Sequence, residues 1–306
     1  MKILSCVTDP LEIPYIIKAG ADEIYFGVSW LRNYIDTASF RNFEQLKKAI
    51  EICNKLNVNF HLAVNSFTTP YTESDIKNLK KTIKAGVRSV IVSDIGFGRY
   101  IKEEFPDISI HISSVVYVMN TACAEFIRKV LGKKFKRLIL PNQLSAFEGK
   151  PIIEWCKKNE IKTEIFFFRY FGCPYLNGYC YLHGDRYLKM DISRDGSMCR
   201  FGHGGFEAKV IALGKENKKL LHRINDRLNH GNIPRILNAS SFFDYFVNGV
   251  DFAKYGSRTD PTAVKIKNVS SIRKTIRNIE MLLSLYKTDE AKERFIAQYQ
   301  RYEKRT

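Results

Sequence analysis

Eight short apolar runs recur along the chain, and each is followed by a polar turn and a stretch with helical periodicity. The runs are nearly continuous rather than alternating, which is the pattern of parallel strands buried on both faces. They predict strands at Lys2–Val7, Glu23–Val28, Asn59–Asn65, Ser89–Ser93, Ser109–Ser113, Arg137–Leu140, Lys162–Phe168 and Asp251–Tyr255. Eight such strands with interleaved helices predict an α/β fold, a (β/α)₈ TIM-type barrel. An open doubly wound sheet is the alternative, although no Gly-x-Gly-x-x-Gly turn follows any run.

The spacers between the runs have the 3.6-residue apolar period of amphipathic helices. Ser74 is the predicted N-cap of its helix, Gly86 supplies a left-handed residue after that helix, and Pro151 fits a first helical turn. The predicted helices are Phe43–Leu56, Ser74–Ala85, Thr121–Leu131 and Pro151–Lys158.

The regular spacing breaks after the seventh run, because about 80 residues separate it from the eighth. We therefore divide the chain into a barrel domain at 1–260, with a Cys-rich and basic insertion at 169–248, and a C-terminal helical extension at 261–306. Loops at the C-terminal ends of barrel strands hold the active site, so function is expected in the insertion. The charged, amphipathic pattern of Ser270–Arg305 predicts one or two helices that cap the barrel or contact RNA. The apolar residues expected to lie on the barrel are Ile272, Ile276, Ile279, Met281, Leu282 and Leu285.

Basic residues outnumber acidic ones by 49 to 32, which gives a formal net charge of +17. Such an excess favours a polyanionic partner such as tRNA or rRNA, and the alternative is a background property of a lysine-rich proteome. Basic side chains of the insertion are candidate contacts: Lys215, Lys218, Lys219, Arg223 and Arg227. No apolar run reaches the ~20 residues of a membrane span, and the first residues lack the pattern of a signal peptide. We expect a cytoplasmic protein without a membrane partner.

Three cysteines follow the seventh run and give the strongest chemical signal in the sequence. Cys173 and Cys180 bound a loop that contains a glycine, and Cys199 is followed by Arg200. Thiolates bind soft metals and iron–sulfur clusters, and nearby arginines offset the negative charge of a thiolate-bound cluster. We predict that Cys173, Cys180 and Cys199 bind an iron–sulfur cluster, of the 4Fe-4S type.

Two other interpretations of these thiols stay open. In the first, they are free cysteines of a loop. In the second, they bind zinc, and His183 or His203 completes the site. Against zinc, such sites usually contain Cys-x₂₋₄-Cys pairs. The sequence contains no Cys-x₃-Cys-x₂-Cys triplet, so a radical enzyme of the S-adenosylmethionine type is not indicated. Cys6 ends the first strand, where an inward thiol could reach the site. The remaining cysteines fall in helical patterns and are interpreted as structural: Cys53, Cys123 and Cys156.

Several short motifs resemble peptidase family U32, also called the collagenase-like family. Ala21–Gly27 looks like its Ala-Asp-x-x-Tyr-x-Gly strand, and the cysteine loop resembles its cysteine pattern. The other matching elements are Asn65, Asp94-Ile95-Gly96, Leu144-Ser145, Lys254 and Arg258. The resemblance covers most of residues 1–260.

The resemblance implies an iron–sulfur enzyme of oxygen-independent hydroxylation, because relatives modify tRNA, ribosomal RNA and quinone precursors with oxygen from prephenate. We predict catalytic roles for Asn65, Asp94, Arg169 and Arg200, and a related family subunit is a possible partner. A U32-type peptidase and a non-catalytic iron–sulfur or RNA-binding accessory subunit are the alternatives. For the peptidase, the sequence offers no His-Glu-x-x-His motif and no Ser-His-Asp set in plausible places.

The sequence also departs from the family pattern. Arg169-Tyr170 stands where the family often has His-Gly, and Asp195 stands where a further cysteine is common. Gln143 replaces the glutamate of Glu-Leu-Ser, and Gly256 replaces the glutamate of Lys-Ile-Glu-Gly-Arg. A downstream Asp-Leu-Cys falls near Ser241–Phe243. A four-cysteine cluster therefore needs a fourth ligand from elsewhere, or one iron stays open as a Lewis acid.

Overall fold

Eight parallel strands close into a barrel in the order of the sequence. The computed structural model describes residues 1–31, 33, 39–65, 71–142, 144–168 and 237–303. The strands are β1 (Lys2–Cys6), β2 (Glu23–Phe26), β3 (Asn59–Val64), β4 (Ser89–Val92), β5 (Ser109–Ile112), β6 (Phe135–Ile139), β7 (Lys162–Phe168) and β8 (Phe252–Tyr255). The predicted barrel is confirmed, and an open sheet is excluded because β1 pairs with β8, with Ser5 opposite Tyr255.

Helices follow the strands on the outside of the barrel. They are α1 (Ile13–Lys18), α2 (Phe43–Leu56), α3 (Glu73–Lys84), α4 (Ile95–Glu104), α5 (Thr121–Leu131), α6 (Ala146–Lys158), α7 (Ala239–Val247), α8 (Thr262–Leu285) and α9 (Thr288–Glu303). The predicted bounds of α2 and α5 are confirmed, and Gly86 has the expected positive φ of 121°. No helix in the described residues is both long enough and apolar enough to cross a membrane.

Two predicted helix starts are wrong, and capping explains both. Thr72, not Ser74, caps α3, because its backbone N–H donates to Asp75 and its hydroxyl accepts from the Asp75 N–H. Ser145 and Glu148 form the same reciprocal box at the start of α6, so Pro151 lies inside that helix rather than in its first turn. A capping box provides hydrogen-bond acceptors for two N–H groups at the start of the helix. This gain outweighs the preference of proline for the first helical position.

The barrel unit extends further towards the C-terminus than the predicted divisions at 169–248 and 261–306 suggest. It comprises Met1–Phe168 and Ile236–Thr306. Within the stretch assigned to the insertion, α7 packs against β7, with the rings of Phe242 and Phe167 edge to face at 4.7 Å. The next helix, α8, follows β8 and occupies the place of the eighth barrel helix.

A buried ion pair joins α8 to the segment that follows β1. The fully buried Lys265 ammonium lies 3.0 Å from a Glu12 carboxylate oxygen and 3.0 Å from the Thr8 hydroxyl. Ile272, Ile276, Ile279 and Leu282 are buried as predicted, whereas Met281 and Leu285 are exposed. The last two residues are four apart, so they share a face of α8 that points away from the barrel.

The barrel interior is polar, whereas its outer surface packs apolar side chains against the helices. TIM barrels usually fill the interior with bulky aliphatic residues. Here several strands send a charged or imidazole side chain inward, and all of these side chains are buried: Glu23, His61, His111, Arg137, Glu164 and Lys254. The charges inside the barrel therefore have to be paired with one another.

Candidate active site at the C-terminal mouth of the barrel

Polar residues follow the C-terminal ends of several neighbouring strands. Asn65 follows β3 directly, Ser93 and Asp94 follow β4, and Ser113 follows β5. Asn142 comes shortly after β6. Because all strands are parallel, these positions share the C-terminal mouth, where TIM barrels carry their active sites.

A buried arginine also lies at this mouth. Arg258, three residues after β8, donates to the Asn33 side-chain oxygen at 2.7 Å and is 4% exposed. The Asn33 amide in turn donates to the Ser39 hydroxyl at 3.1 Å. A Cβ on Gly27 would come within 3.0 Å of Ser39, Asn33 and Arg258, so only glycine leaves room for this cluster.

Tyr25 lies close to two cations. The Lys254 ammonium lies 4.1 Å from the centre of the Tyr25 ring, and the Arg258 guanidinium lies 5.6 Å from it. The phenol donates to the Gly256 carbonyl at 3.2 Å. The motif residues Tyr25, Gly27, Lys254 and Arg258, distant in sequence, therefore meet in one place.

The protonation states of this centre follow from burial. Burial raises the pKa of Tyr25 well above its usual value, so the phenol stays protonated and remains a donor. Burial lowers the pKa of Lys254, and the neighbouring Glu164 carboxylate, 2.9 Å from the ammonium, opposes that effect. Burial raises the pKa of Cys6 to about 11. Cys6 is therefore a neutral thiol at neutral pH, which does not suit nucleophilic attack.

Asn65 and Asp94 both follow strand ends at this mouth. Asp94 is the N-cap of α4, because its carboxylate accepts from the Phe97 N–H at 2.9 Å. This contact gives Asp94 a structural task that the sequence analysis did not consider. A catalytic role for either residue stays a prediction.

The cysteine loop lies outside the described residues, as do Arg169 and Arg200. What the structure does describe is the strand that leads to them, since β7 ends at Phe168 at the C-terminal mouth. In the described part of the chain, no group of three or more His, Cys, Asp or Glu side chains is arranged to hold a metal ion. The cluster predicted on Cys173, Cys180 and Cys199 stays a prediction. Their thiolates are the donor set that iron–sulfur clusters take.

A second polar constellation, which the sequence analysis missed, lies at the N-terminal end of the barrel. Arg137 donates to Glu23 at 2.6 Å and to Glu164 at 3.1 Å. His61 Nε2 lies 2.8 Å from the same Glu23 oxygen, and its Nδ1 lies 2.9 Å from the Ser89 hydroxyl. Each of these residues occurs singly within an apolar run, and only the strand register brings them together.

Burial and pairing set the charges of this constellation. Burial raises the pKa of Glu23, but the hydrogen bond from His61 and the charge of Arg137 outweigh it, so the pKa falls to about 2. Burial lowers the pKa of His61, although Glu23 opposes the effect. Burial also lowers the pKa of His111 well below its usual value, and the charge of Arg137 adds to this. Glu23 is therefore a carboxylate, and both imidazoles are neutral at pH 7.

Ser89, His61 and Glu23 form a hydrogen-bonded row of the kind that activates serine in hydrolases. A hydrolase also needs N–H donors aimed at the developing oxyanion. Ser89 is the first residue of β4, which pairs with β3 and β5 on either side. Its neighbouring strand amides are therefore committed to the sheet, so the row by itself does not make a peptidase site.

A family model confirms the resemblance. The model for peptidase family U32 matches residues 10–298. The chain belongs to peptidase family U32. A collagenase of Porphyromonas gingivalis is 26% identical over 237 residues, which cover 70% of this U32 chain and 55% of that protein. The tRNA hydroxylation protein P of Escherichia coli is 29% identical over 206 residues, which cover 65% of this chain and 43% of that protein. The chain thus spans about half the length of the curated relatives it matches.

Among solved structures, a U32 peptidase superposes with a TM-score of 0.43 at 13% identity, over 54% of this chain and 68% of that chain. A monomeric dihydrodipicolinate synthase variant superposes with a TM-score of 0.48 at 12% identity, over 94% and 83%. The barrel of this chain is established by its own strand pairing, from β1 round to β8.

Proposed function

We propose that this U32 chain is an iron–sulfur enzyme that takes part in oxygen-independent hydroxylation of RNA, with tRNA as the favoured substrate. The observation that carries the proposal is the cluster of Tyr25, Gly27, Lys254 and Arg258 at the C-terminal mouth, the end of the barrel where TIM-barrel enzymes carry their active sites. Relatives named for tRNA hydroxylation in two bacteria support the substrate class. The net charge of +17 is consistent with a polyanionic substrate.

Arg258 is the residue best suited to orient an anionic group at this mouth. Its partner Asn33 is a neutral amide, and among the described residues no carboxylate lies within 4 Å of the guanidinium. An arginine is always charged and offers five N–H donors, of which Asn33 takes one. In our proposal Arg258 therefore binds a phosphate of the RNA or a carboxylate of the oxygen donor.

Cys173, Cys180 and Cys199 would hold the cluster, and Arg200 would offset its charge. When bound, such a cluster supplies redox or Lewis-acid chemistry. The protein's own contribution is to hold the substrate: Arg258 binds an anionic group, and the Tyr25 phenol remains protonated beneath it. Arg169, Asn65 and Asp94 are the remaining candidates for contacts with the substrate.

The proposal is tested by mass spectrometry of tRNA nucleosides from a deletion strain that carries the gene or its variants. We expect an oxygen addition that disappears in the deletion strain and returns with the wild-type gene. Serine at position 173, 180 or 199 should abolish both the modification and the iron content of anaerobically purified protein. The partly exposed Cys123→Ser variant is the control and should keep both. An unchanged tRNA profile contradicts the RNA activity, and iron-free wild-type protein contradicts the cluster.

A further inference from the structure

Lysine side chains are concentrated on one side of the N-terminal end of the barrel, the end opposite the proposed active site. They lie in two connections, residues 128–136 from α5 to β6 and residues 157–162 from α6 to β7. The two connections are neighbours, because β6 and β7 pair with Arg137 opposite Lys162. Glu160 is the only acidic residue in the two connections. Their basic residues, which we call the basic patch, are Arg128, Lys129, Lys133, Lys134, Lys136, Lys157, Lys158 and Lys162.

Most of the charge of the basic patch is not neutralised within the protein. Lys129 pairs with Glu125 at 3.0 Å, and Lys162 pairs with Asp251 at 2.9 Å. The other lysines of the patch have no ion-pair partner among the residues that the structure describes, and they are exposed except for the half-buried Lys134: Lys133, Lys134, Lys136, Lys157 and Lys158. Like charges this close in the chain repel one another, and an anionic partner relieves the repulsion.

Helix ends alone do not explain this concentration of lysines. The helix dipole favours basic residues in the last turn, and each of α1 to α6 has at least one there. The connection from α4 to β5, at the same end of the barrel and next to the patch, nevertheless contains one lysine and three acidic residues, Glu103, Glu104 and Asp107. Lys136 lies within β6 and not at a helix end. The positive charge is therefore one-sided, which a lysine-rich composition alone does not produce.

Hydrogen bonds fix the backbone that carries the first half of the patch. After α5, Gly132 has a φ of 59° and begins a 3₁₀ turn at Gly132–Lys134. Arg128 Nη1 donates to the Gly132 carbonyl at 2.6 Å, and the Lys102 ammonium of α4 donates to the Val130 carbonyl at 2.8 Å. A backbone that is already ordered loses little conformational entropy when a partner binds.

The surroundings of these lysines favour a phosphate backbone over a membrane surface as the partner. Proteins that bind a membrane surface combine basic residues with apolar side chains that enter the interface. Among the described residues, no exposed large apolar side chain falls in 128–136 or 157–162. A lysine ammonium contacts a phosphate as a point charge and does not identify the base. The patch is therefore suited to sequence-independent contact with RNA.

We propose that the basic patch binds the phosphate backbone of the RNA substrate, at a distance from the nucleotide that is modified. The proposal rests on RNA as the partner of the proposed function, but not on the cluster or the reaction. The 13 residues of α6, which connect the two ends of the barrel, span about 20 Å. A small RNA-binding domain contacts about 16 base pairs, roughly 50 Å of RNA, so one folded RNA can reach both ends. The patch contributes affinity and takes no part in the chemistry.

The test compares tRNA binding by the full chain and two triple variants, measured by fluorescence anisotropy with unfractionated tRNA over a series of salt concentrations. The patch variant combines Lys133→Gln, Lys134→Gln and Lys136→Gln. The control variant removes the same charge from exposed lysines of α3 and α8 and combines Lys77→Gln, Lys267→Gln and Lys274→Gln. Each lost phosphate contact lowers the slope of log K against log salt by about 1. We expect the patch variant to lower the slope by about 2–3 and the affinity at least about tenfold, and the control variant to change neither by as much as half of that.

Thermal melting checks that both variants are folded. The double variant Lys157→Gln, Lys158→Gln tests the second half of the patch independently and should lower the slope by about 1–2. Equal slopes in the patch and control variants overturn the proposal, because the binding then depends on net charge alone. Patch-dependent binding to vesicles of phosphatidylserine and phosphatidylcholine, without binding to tRNA, overturns the choice of RNA. Wild-type protein that binds tRNA through the patch but leaves it unmodified supports the patch and contradicts only the proposed reaction.

Discussion

The two ends of the barrel each contain a buried arginine, but the two arginines have opposite surroundings. Arg137, near the N-terminal mouth, is held by the carboxylates of Glu23 and Glu164. Arg258, at the C-terminal mouth, is held by the neutral amide of Asn33. An arginine that is paired with carboxylates stabilises the fold through that pairing. An arginine beside a neutral amide can still pair with an anionic ligand. In our proposal the N-terminal arginine stabilises the fold and the C-terminal arginine binds the substrate.

The largest effect expected from this comparison is on stability at the N-terminal end. Arg137→Leu leaves Glu23 and Glu164 buried without their shared cation, which should cost about 3–5 kcal/mol of unfolding free energy. Urea denaturation measures the loss. The control is Arg99→Leu, which breaks an exposed pair with Glu103 and should cost no more than about 0.5 kcal/mol. Similar losses in the two variants would remove the basis for calling the network structural.

The next effect concerns the C-terminal mouth. Gly27→Ala places a Cβ 2.6 Å from the Ser39 hydroxyl and 2.9 Å from the Arg258 guanidinium, so the cluster must shift. Overpacking of this kind costs about 1–3 kcal/mol. We expect the RNA modification to fall much further than stability does, because the arginine is displaced. Gly249→Ala, whose Cβ meets nothing within 4 Å, is the control for a glycine change without crowding, although its positive φ adds some strain. Full activity in Gly27→Ala would show that the position of Arg258 is unimportant.

A third effect is the response of stability to acid. The pKa of His111 and that of His61 are lowered by burial in the folded protein, so the unfolded chain binds protons more readily. Their contribution is present above pH about 6.5 and is lost as the pH falls below that value. Glu23, with a pKa lowered to about 2, adds a further loss below pH about 4.5. Denaturation at a series of pH values should show a slope below 6.5 that is shallower in His111→Asn. A slope of the opposite sign would contradict the neutral imidazoles.

The smallest expected effect distinguishes the helix-capping role of Asp94 from its predicted catalytic role. Asp94→Ala removes the cap of α4 and should cost about 1 kcal/mol. Asp94→Asn keeps a capping oxygen and should leave the melting temperature nearly unchanged. If the carboxylate is catalytic, Asp94→Asn loses the RNA modification while remaining as stable as the wild type. Equal activity in Asn and wild-type protein would leave Asp94 with capping alone.

The sequence predicts the barrel well because buried parallel strands have continuous apolar sequences. Its polar interior is harder to predict, because runs such as Ser89–Val92 contain a single polar residue whose direction depends on register. Arg137 and Glu23 are 114 positions apart, so nothing local indicates that they pair. The family motifs include Arg258 and Tyr25, but the hydrogen bond from Arg258 to Asn33 depends on the way the chain returns after β2. Residues 143 and 169–236 lie outside the described structure, so the cysteine predictions stand as made.

The closure of the barrel also has a consequence for biosynthesis. Glu12 follows β1, yet its buried cation, Lys265, comes 253 residues later. At about 5–20 residues per second, a ribosome needs roughly 13–50 seconds to bridge that interval. Until β8 is made near the end of that time, β1 has no sheet neighbour other than β2. The nascent N-terminal strands therefore present an open edge, the kind of surface that chaperones protect during translation.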